Sequence, residues 1–267
     1  MTASGEAPAD AADMAGGDEG TERSTKPVPD GARVVVDNLD TGYGNHKVLH
    51  DVSVRSREGV TSVFGPNGSG KSTLLKAIAG IIPAWSGTIR HNGNDITGTG
   101  ATERVRDGIV TLPQDGGLFG SLSVRENLLL GAHTVEDRAT VQERLDEVYD
   151  LWPVLEEKSS KRARSLSGGQ QMMLSFARAM MTGANTYLLD EPSAGLSPTL
   201  VDDMLEIIEI LADEKDAQVI LVEQNVTAAL TITDHVYILV QGELRFDGTP
   251  AELGEEEELM DLYLGIG

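Results

Sequence analysis

Val60-Thr61-Ser62-Val63-Phe64-Gly65-Pro66-Asn67-Gly68-Ser69-Gly70-Lys71-Ser72-Thr73 is the stretch on which the reading of this chain turns. Val60 to Phe64 has the pattern of a buried strand and stops at a glycine. The residues that follow fit G-x-x-x-x-G-K-[ST], with glycines at Gly65 and Gly70, the lysine at Lys71 and the hydroxyl at Ser72. From average composition, that pattern arises by chance in a chain of this length on the order of one time in a hundred. A strand that ends in such a loop and reopens as a helix, expected over Lys71 to Ile81, aims backbone N–H groups and a helix N-terminus at an anion. Lys71 would neutralise the β- and γ-phosphates of a nucleotide, and Ser72 would hold magnesium. The bland alternative is a glycine-rich turn that binds nothing.

Working outward, short β-like runs stand upstream at Arg33 to Asn38 and Val48 to Val54. Downstream, Thr88 to His91 and Ile109 to Leu112 are further strand candidates. Helical spacing begins at Val124 to Gly131 and runs through Val141 to Val154, where Leu145, Val148 and Leu151 fall on one face. This region reads as an inserted helical lobe. A helix from Ser167 to about Thr182 leads to the apolar strand Thr186 to Leu189. A helix over Thr199 to Glu214, the strand Val219 to Val222 and a strand pair around Val236 to Phe246 follow. Strands alternating with helices of this length imply a parallel α/β sheet.

Two more motifs carry chemistry. Tyr187-Leu188-Leu189-Asp190-Glu191 is an apolar strand that ends in two carboxylates. Adjacent acids on a strand point to opposite faces, so Asp190 suits a magnesium shell while Glu191 suits orienting an attacking water. Read alone, it is a solvated strand end. Leu166-Ser167-Gly168-Gly169-Gln170 opens a helix and makes a second cradle of hydroxyl and N–H groups, or a plain helix cap.

The three motifs in this order resemble the ATP-binding-cassette ATPases, and the resemblance extends from about Val34 to Phe246. It implies an α/β fold with a P-loop NTPase (RecA-like) parallel-sheet core, an N-terminal antiparallel β subdomain and an inserted α-helical subdomain at about 115–168. The ATPase domain would span 32–250, between an extension over 1–31 and an acidic C-terminal helix over 251–267. Tyr43, in Thr41-Gly42-Tyr43-Gly44, looks like the aromatic that stacks on adenine, or is an ordinary strand-end tyrosine. Gln114 looks like the glutamine that reaches magnesium and the attacking water. Leu118-Phe119 and Leu122 to Leu128 resemble the surface that receives a helix from a membrane partner; lobe core is the other reading. Ser193 to Ser197 takes the position of the loop that crosses a dimer interface.

Two positions depart from the commonest pattern: Ser197 stands where an aspartate is usual, and Gln224 where a histidine usually contacts the γ-phosphate. A glutamine amide still donates a hydrogen bond but does not titrate. Glu191-Pro192-Ser193 with Gly195-Leu196 and Pro198, together with Val222-Glu223-Gln224-Asn225, is similar to the second ATPase subunit of branched-chain amino-acid importers. Urea and short-amide importers have closely similar subunits. The resemblance implies ATP and Mg2+ as cofactors, a second ATPase subunit closing head to tail, transmembrane permeases, and an extracellular solute-binding protein as an indirect partner. The chain would sit in the cytoplasm, peripheral on the inner face of the membrane. An exporter ATPase shares these motifs. A soluble cassette protein acting on ribosomes or DNA, and a regulator that binds nucleotide without turnover, are the readings from other classes.

Composition narrows the field. The 267 residues carry 43 Asp and Glu against 21 Lys and Arg, a formal charge of −22, and no cysteine. A surface this negative repels phosphate backbones, so no nucleic acid is expected as partner. Seven of the acids and two of the bases lie in residues 1–30, so most of the charge belongs to the body. That first segment, Ala-, Gly- and acid-rich with almost no large aliphatic, cannot cover the entropy of ordering and is expected to be disordered. Only 7 of the bases are Lys, and the balance resembles that of salt-adapted cytosols, where concentrated salt screens self-repulsion. An ordinary acidic protein with a charged helix at Glu255 to Glu258 is the alternative. The longest apolar run, Val236 to Val240, is far short of the about 20 residues a spanning helix needs. Lack of cysteine excludes disulfides and thiolate chemistry, and no secretory signal pattern opens the chain.

Overall fold

The computed structural model describes Met1, residues 31–114 and residues 116–256. The expected disordered extension and the acidic residues Glu257 and Glu258 lie outside the described residues. In chain order the elements are β1 (Val34–Tyr43), β2 (His46–Arg55), β3 (Val60–Phe64), α1 (Lys71–Ile78), β4 (Ser86–His91), β5 (Asn94–Asp95), α2 (Ala101–Arg106) and β6 (Ile109–Leu112). Three helices follow, α3 (Val124–Gly131), α4 (Arg138–Leu151) and α5 (Pro153–Glu157), within the span expected for the helical insert. The chain continues through α6 (Gly168–Met180), β7 (Thr186–Asp190), α7 (Pro198–Glu209), β8 (Gln218–Val222), α8 (Val226–Ala229), β9 (His235–Val240), β10 (Glu243–Gly248) and α9 (Pro250–Gly254).

Two sheets organise these elements. One is four-stranded and antiparallel, in the order β2-β1-β4-β5, and the other is six-stranded, in the order β10-β9-β3-β8-β7-β6. In the second, every pair is parallel except β9 with β10. All five residues of β3, all five of β8 and all six of β9 are buried, as strands covered on both faces must be. Alternation along those strands sorts their side chains into two cores. Tyr187, Leu189, Val219, Leu221, Val236 and Ile238 join the apolar faces of α6 and α7. Leu188, Val63, Ile220, Val222, Tyr237 and Leu239 pack with α1 and the antiparallel sheet. The period of 2 in side-chain direction puts a core on each face of one sheet.

Register sets what lies at the carboxyl edge. Val63 is level with Val222, Asp190 with Val222, and Leu112 with Leu189, so β3, β8, β7 and β6 stop nearly together. The loops leaving these neighbouring strands therefore emerge side by side, the position where open α/β sheets take ligands.

Several boundaries differ from the sequence expectation. The helix expected to reach Ile81 ends at Ile78, because Gly80 takes φ +70° and turns the chain away. The helical stretch expected over Val141 to Val154 is two helices, interrupted at Trp152 where Pro153 begins α5. The helix expected to Glu214 is α-helical only to Glu209 and continues as a wider π turn over Ile210–Glu214. Helix α2 was not expected, and α9 ends at Gly254, ahead of Glu255. Among the described residues, no helix is long and apolar enough to cross a membrane.

Candidate functional site

The loop from Gly65 to Gly70 is shaped by backbone conformations that a side chain would forbid. At Gly65, with φ +142°, a Cβ would lie 2.0 Å from the carbonyl oxygen of Leu239, and at Gly70, with φ +107°, 2.6 Å from a methyl of Leu49. The loop thus lies pressed on its strand and hairpin. Among the described residues no side chain caps α1. Its first N–H groups are left to an external acceptor, where the positive end of the helix dipole favours an anion. Ser69 Oγ is buried in the same loop and has no hydrogen-bond partner among the described residues.

Lys71 is 5% exposed and curls across this cradle, its Nζ donating to the carbonyls of Gly65 at 2.7 Å and Pro66 at 3.2 Å. Burial pulls the ammonium below its ordinary pKa, while Glu191 and Asp190 work in the opposite direction. Ser72 Oγ donates to Asp190 Oδ1 at 2.8 Å, which fastens the start of α1 to the end of β7.

Glu191 follows immediately and takes φ +50°, a left-handed conformation unusual for a glutamate. Its N–H donates to Val222 O at 2.8 Å. Its Oε2 accepts from Gln224 Nε2 at 2.8 Å and, at the longer separation of 3.4 Å, from Gln114 Nε2. The two carboxylates have separate partners, a hydroxyl for Asp190 and two amides for Glu191. Four loops, after β3, β6, β7 and β8, thereby converge at the carboxyl edge of the sheet. The Ser72 hydroxyl and the Asp190 carboxylate are joined here, and with the amide oxygen of Gln114 from the neighbouring loop they are residue types that could hold magnesium. Among the described residues no cluster of three or more His, Cys, Asp or Glu competes with them.

Tyr43 ends β1, opposite His46 in the hairpin, with its side chain 46% exposed. Ser167 is the N-cap of α6 and forms a capping box with Gln170, whose Oε1 also accepts from Lys158 Nζ at 2.9 Å. Gly169 gives α7 its approach, since a Cβ there would lie 2.7 Å from Leu200. Among the described residues, no hydrogen bond joins Ser167, Gly168, Gly169 or Gln170 to the phosphate loop. The structure does not bring these two motifs together within one chain.

The surface expected to receive a membrane partner divides. Val124, Asn127 and Leu128 are fully buried and belong to the lobe interior, so that part of the expectation is corrected: their spacing served packing. Asn127 accepts from the Phe119 N–H at 2.9 Å and donates back to its carbonyl at 3.1 Å. Phe119 is 54% exposed beneath the Arg178 guanidinium, which lies 5.7 Å from its ring centre. With Ile81, Val105 and Leu130 it lines a groove of about 550 Å³.

Two functional-looking residues escaped the sequence reading. Glu223 is 2% exposed and accepts from Ser193 N and Ser193 Oγ, and Arg104 is 2% exposed with its donors on backbone carbonyls. Glu223 had a signal, a lone acid between the apolar run Val219 to Val222 and Gln224. Arg104 had none, since it sits among other charges in Glu103-Arg104-Val105-Arg106.

With the site assembled, comparison with known proteins gives its kinship. The sequence profile of the ABC transporter family matches residues 49–194. The chain is 42% identical over 229 residues to the probable branched-chain amino acid transport ATP-binding protein LivF of Archaeoglobus fulgidus, covering 85% of this chain and 97% of that protein. It is 40% identical to the high-affinity branched-chain amino acid transport ATP-binding protein BraG of Pseudomonas aeruginosa, over 86% of this chain and 98% of that one. The lipopolysaccharide export system ATP-binding protein LptB of Escherichia coli is 34% identical, over 88% of this chain and 98% of its own. Among solved structures, a nucleotide-free ATP-binding cassette from an ABC transporter superposes with a TM-score of 0.77 at 26% identity, over 88% of this chain and 99% of that one. A cassette in its ADP conformation gives a TM-score of 0.75 at 28% identity, over 88% and 95%. The chain belongs to the ABC transporter family and is one of its ATP-hydrolysing, ATP-binding subunits.

Proposed function

We propose that this ATPase powers an importer of branched-chain amino acids or a similar small polar solute through separate permease subunits. The relatives at 42% and 40% identity carry branched-chain amino acid transport in their names, against 34% for the lipopolysaccharide exporter. Gln224 and Ser197 also favour the importer subunit that the sequence resembles. The observation that carries the hydrolytic reading is the convergence of Gln114 and Gln224 on one oxygen of Glu191, beside the Ser72–Asp190 link.

In this reading Gly65 to Thr73 wraps the triphosphate, Lys71 leaves its loop carbonyls to face the β- and γ-phosphates, and Tyr43 stacks on the base. Ser72, Asp190 and Gln114 would hold magnesium, which neutralises phosphate charge when bound. Glu191 orients and polarises the attacking water, Gln114 and Gln224 fix its carboxylate, and Gln224 contacts the γ-phosphate. Ser167, Gly168, Gly169 and Gln170 of a second subunit, identical or sister, complete each site. This accounts for their separation from the phosphate loop within one chain. ATP then favours the closed pair and hydrolysis releases it, so the permeases alternate between two states. The exposed Phe119, Ile81 and Leu130 suit a helix from a permease on the inner face of the membrane. An extracellular solute-binding protein would deliver the solute.

The test is recovery of the intact complex from solubilised membranes, followed by uptake into proteoliposomes. Leucine uptake that needs ATP and disappears with Glu191→Gln is the expected result. Permeases that move urea, a short amide or a lipid would overturn the substrate assignment and leave the ATPase reading standing.

A further inference from the structure

We propose that Glu223 is a positioning residue of the hydrolytic site, the latch through which the loop Ser193–Ser197 sets where Gln224 and Glu191 stand. Its carboxylate is 2% exposed, and among the described residues no Lys, Arg or His is paired with it. A buried carboxylate without a cation has to be stabilised by donors. Glu223 has three: Ser193 N–H at 2.8 Å, Ser193 O–H at 2.6 Å and Gln224 N–H at 3.1 Å.

These bonds close a ring around Glu191. Upstream, the Glu191 N–H is held by Val222 O at 2.8 Å, one residue before Glu223. Downstream, Ser193 is held by Glu223 itself, with only Pro192 between. Across the top, Gln224 reaches Glu191 Oε2 at 2.8 Å. The left-handed φ of +50° at Glu191 is therefore clamped from both sides, as a sparsely populated conformation must be to persist. Displacing Ser193 has to turn the backbone at Glu191 or break the bonds that Glu223 accepts. Either event moves the base that orients water. A contact that pushes on Ser193–Ser197 thus reaches Glu191 along a path of three or four residues. The inference rests on the hydrolytic role of Glu191 and on reading Ser193–Ser197 as the loop facing the second subunit.

The experiment measures steady-state hydrolysis against MgATP concentration, with calorimetric ATP binding to count competent sites, in Glu223→Gln, Ser193→Ala and the double variant of the full chain. Glu223→Gln keeps the size but presents an amide to donors. Turnover per binding site should fall by about tenfold to a hundredfold, the range that a misplaced catalytic group costs, with KM and Kd for ATP within about twofold. Ser193→Ala removes one hydrogen bond and no charge, and should lower turnover by about threefold to tenfold at unchanged KM. The double variant should be no worse than Glu223→Gln, because both act on one latch. A merely structural staple would lower the count of competent sites or the melting temperature and leave turnover per site intact, and that result overturns the proposal. So do losses that multiply in the double variant. Where Glu223→Gln fails to fold, unchanged turnover in Ser193→Ala is the contradicting result. Glu191→Gln in the same assay keeps the two claims apart: full turnover there would defeat the hydrolytic reading itself, whatever the Glu223 variants do.

Discussion

Gln224 donates its amide to Glu191 Oε2, a task that a neutral histidine ring could also perform. The two differ in titration. An amide is uncharged at every working pH, whereas imidazole protonates near pH 6.5. Gln224→His should therefore hydrolyse ATP at an unchanged or higher rate above about pH 7, and acquire a pH dependence between about 6 and 7 that the parent lacks. A pH profile of turnover checks this, and complete inactivation would contradict the placement of Gln224. Glu191→Gln should bind ATP, fail to turn it over and accumulate the closed pair. Light scattering with and without MgATP reads that outcome, and undiminished hydrolysis would remove Glu191 from its role. The residues gathered here, Ser72, Gln114, Asp190, Glu191 and Gln224, were legible in the sequence because their motifs hold fixed residue types at fixed spacing. Glu223 was legible only as a lone acid after an apolar strand; its bonds to Ser193, thirty residues away in the chain, are a matter of packing that no local pattern encodes.

At the scale of the element, the phosphate helix α1 is secured at both ends. Its N-terminus is tied through Ser72 to Asp190, and its C-terminus is closed by Arg104. The Arg104 guanidinium donates to Ala77 O at 2.6 Å, Ile78 O at 2.7 Å and Ile96 O at 2.8 Å, placing a positive charge at the negative end of the helix dipole. Burial draws its pKa down, yet a guanidinium stays charged. Arg104→Met removes the donor to Ile78 O, leaves Ala77 O with the Gly80 N–H and Ile96 O with the Thr99 N–H and hydroxyl, takes the charge from the end of the helix, and should destabilise the protein by about 3 kcal/mol. Differential scanning calorimetry should show the melting temperature lower by about 6 to 12 °C; a drop under about 2 °C would contradict the role. Helix α2, which carries Arg104, escaped the sequence reading because Ala101 to Arg106 is short, mostly polar and without an apolar stripe. The break at Trp152-Pro153 was readable from the proline, but the helical spacing on either side masked it. The buried strands β3, β7 and β8 were the plainest elements, since runs covered on both faces contain little but apolar side chains.

The whole molecule carries a formal charge of −22, which its folded form has to tolerate at close quarters. Self-repulsion of this kind falls with ionic strength as the screening length shrinks from about 10 Å at 0.1 M salt to about 3 Å at 1 M. The melting temperature should therefore rise across that range of KCl by several degrees, and a flat or falling curve would contradict self-repulsion as a cost to the fold. Topology brings function to one edge: the order β9-β3-β8-β7-β6 places the loops after four neighbouring strands in a row. The alternation of strands and helices foretold a parallel sheet, but neither strand order nor the groove beneath Phe119 could be read locally, since both depend on which distant segments pack together. In the proposed mechanism every step depends on Gly65 to Thr73 holding the triphosphate of ATP. Isothermal titration of the full chain with MgATP should show one site per chain, lost in a folded Lys71→Ala variant. No heat with the parent chain, or equal affinity in Lys71→Ala, would contradict it.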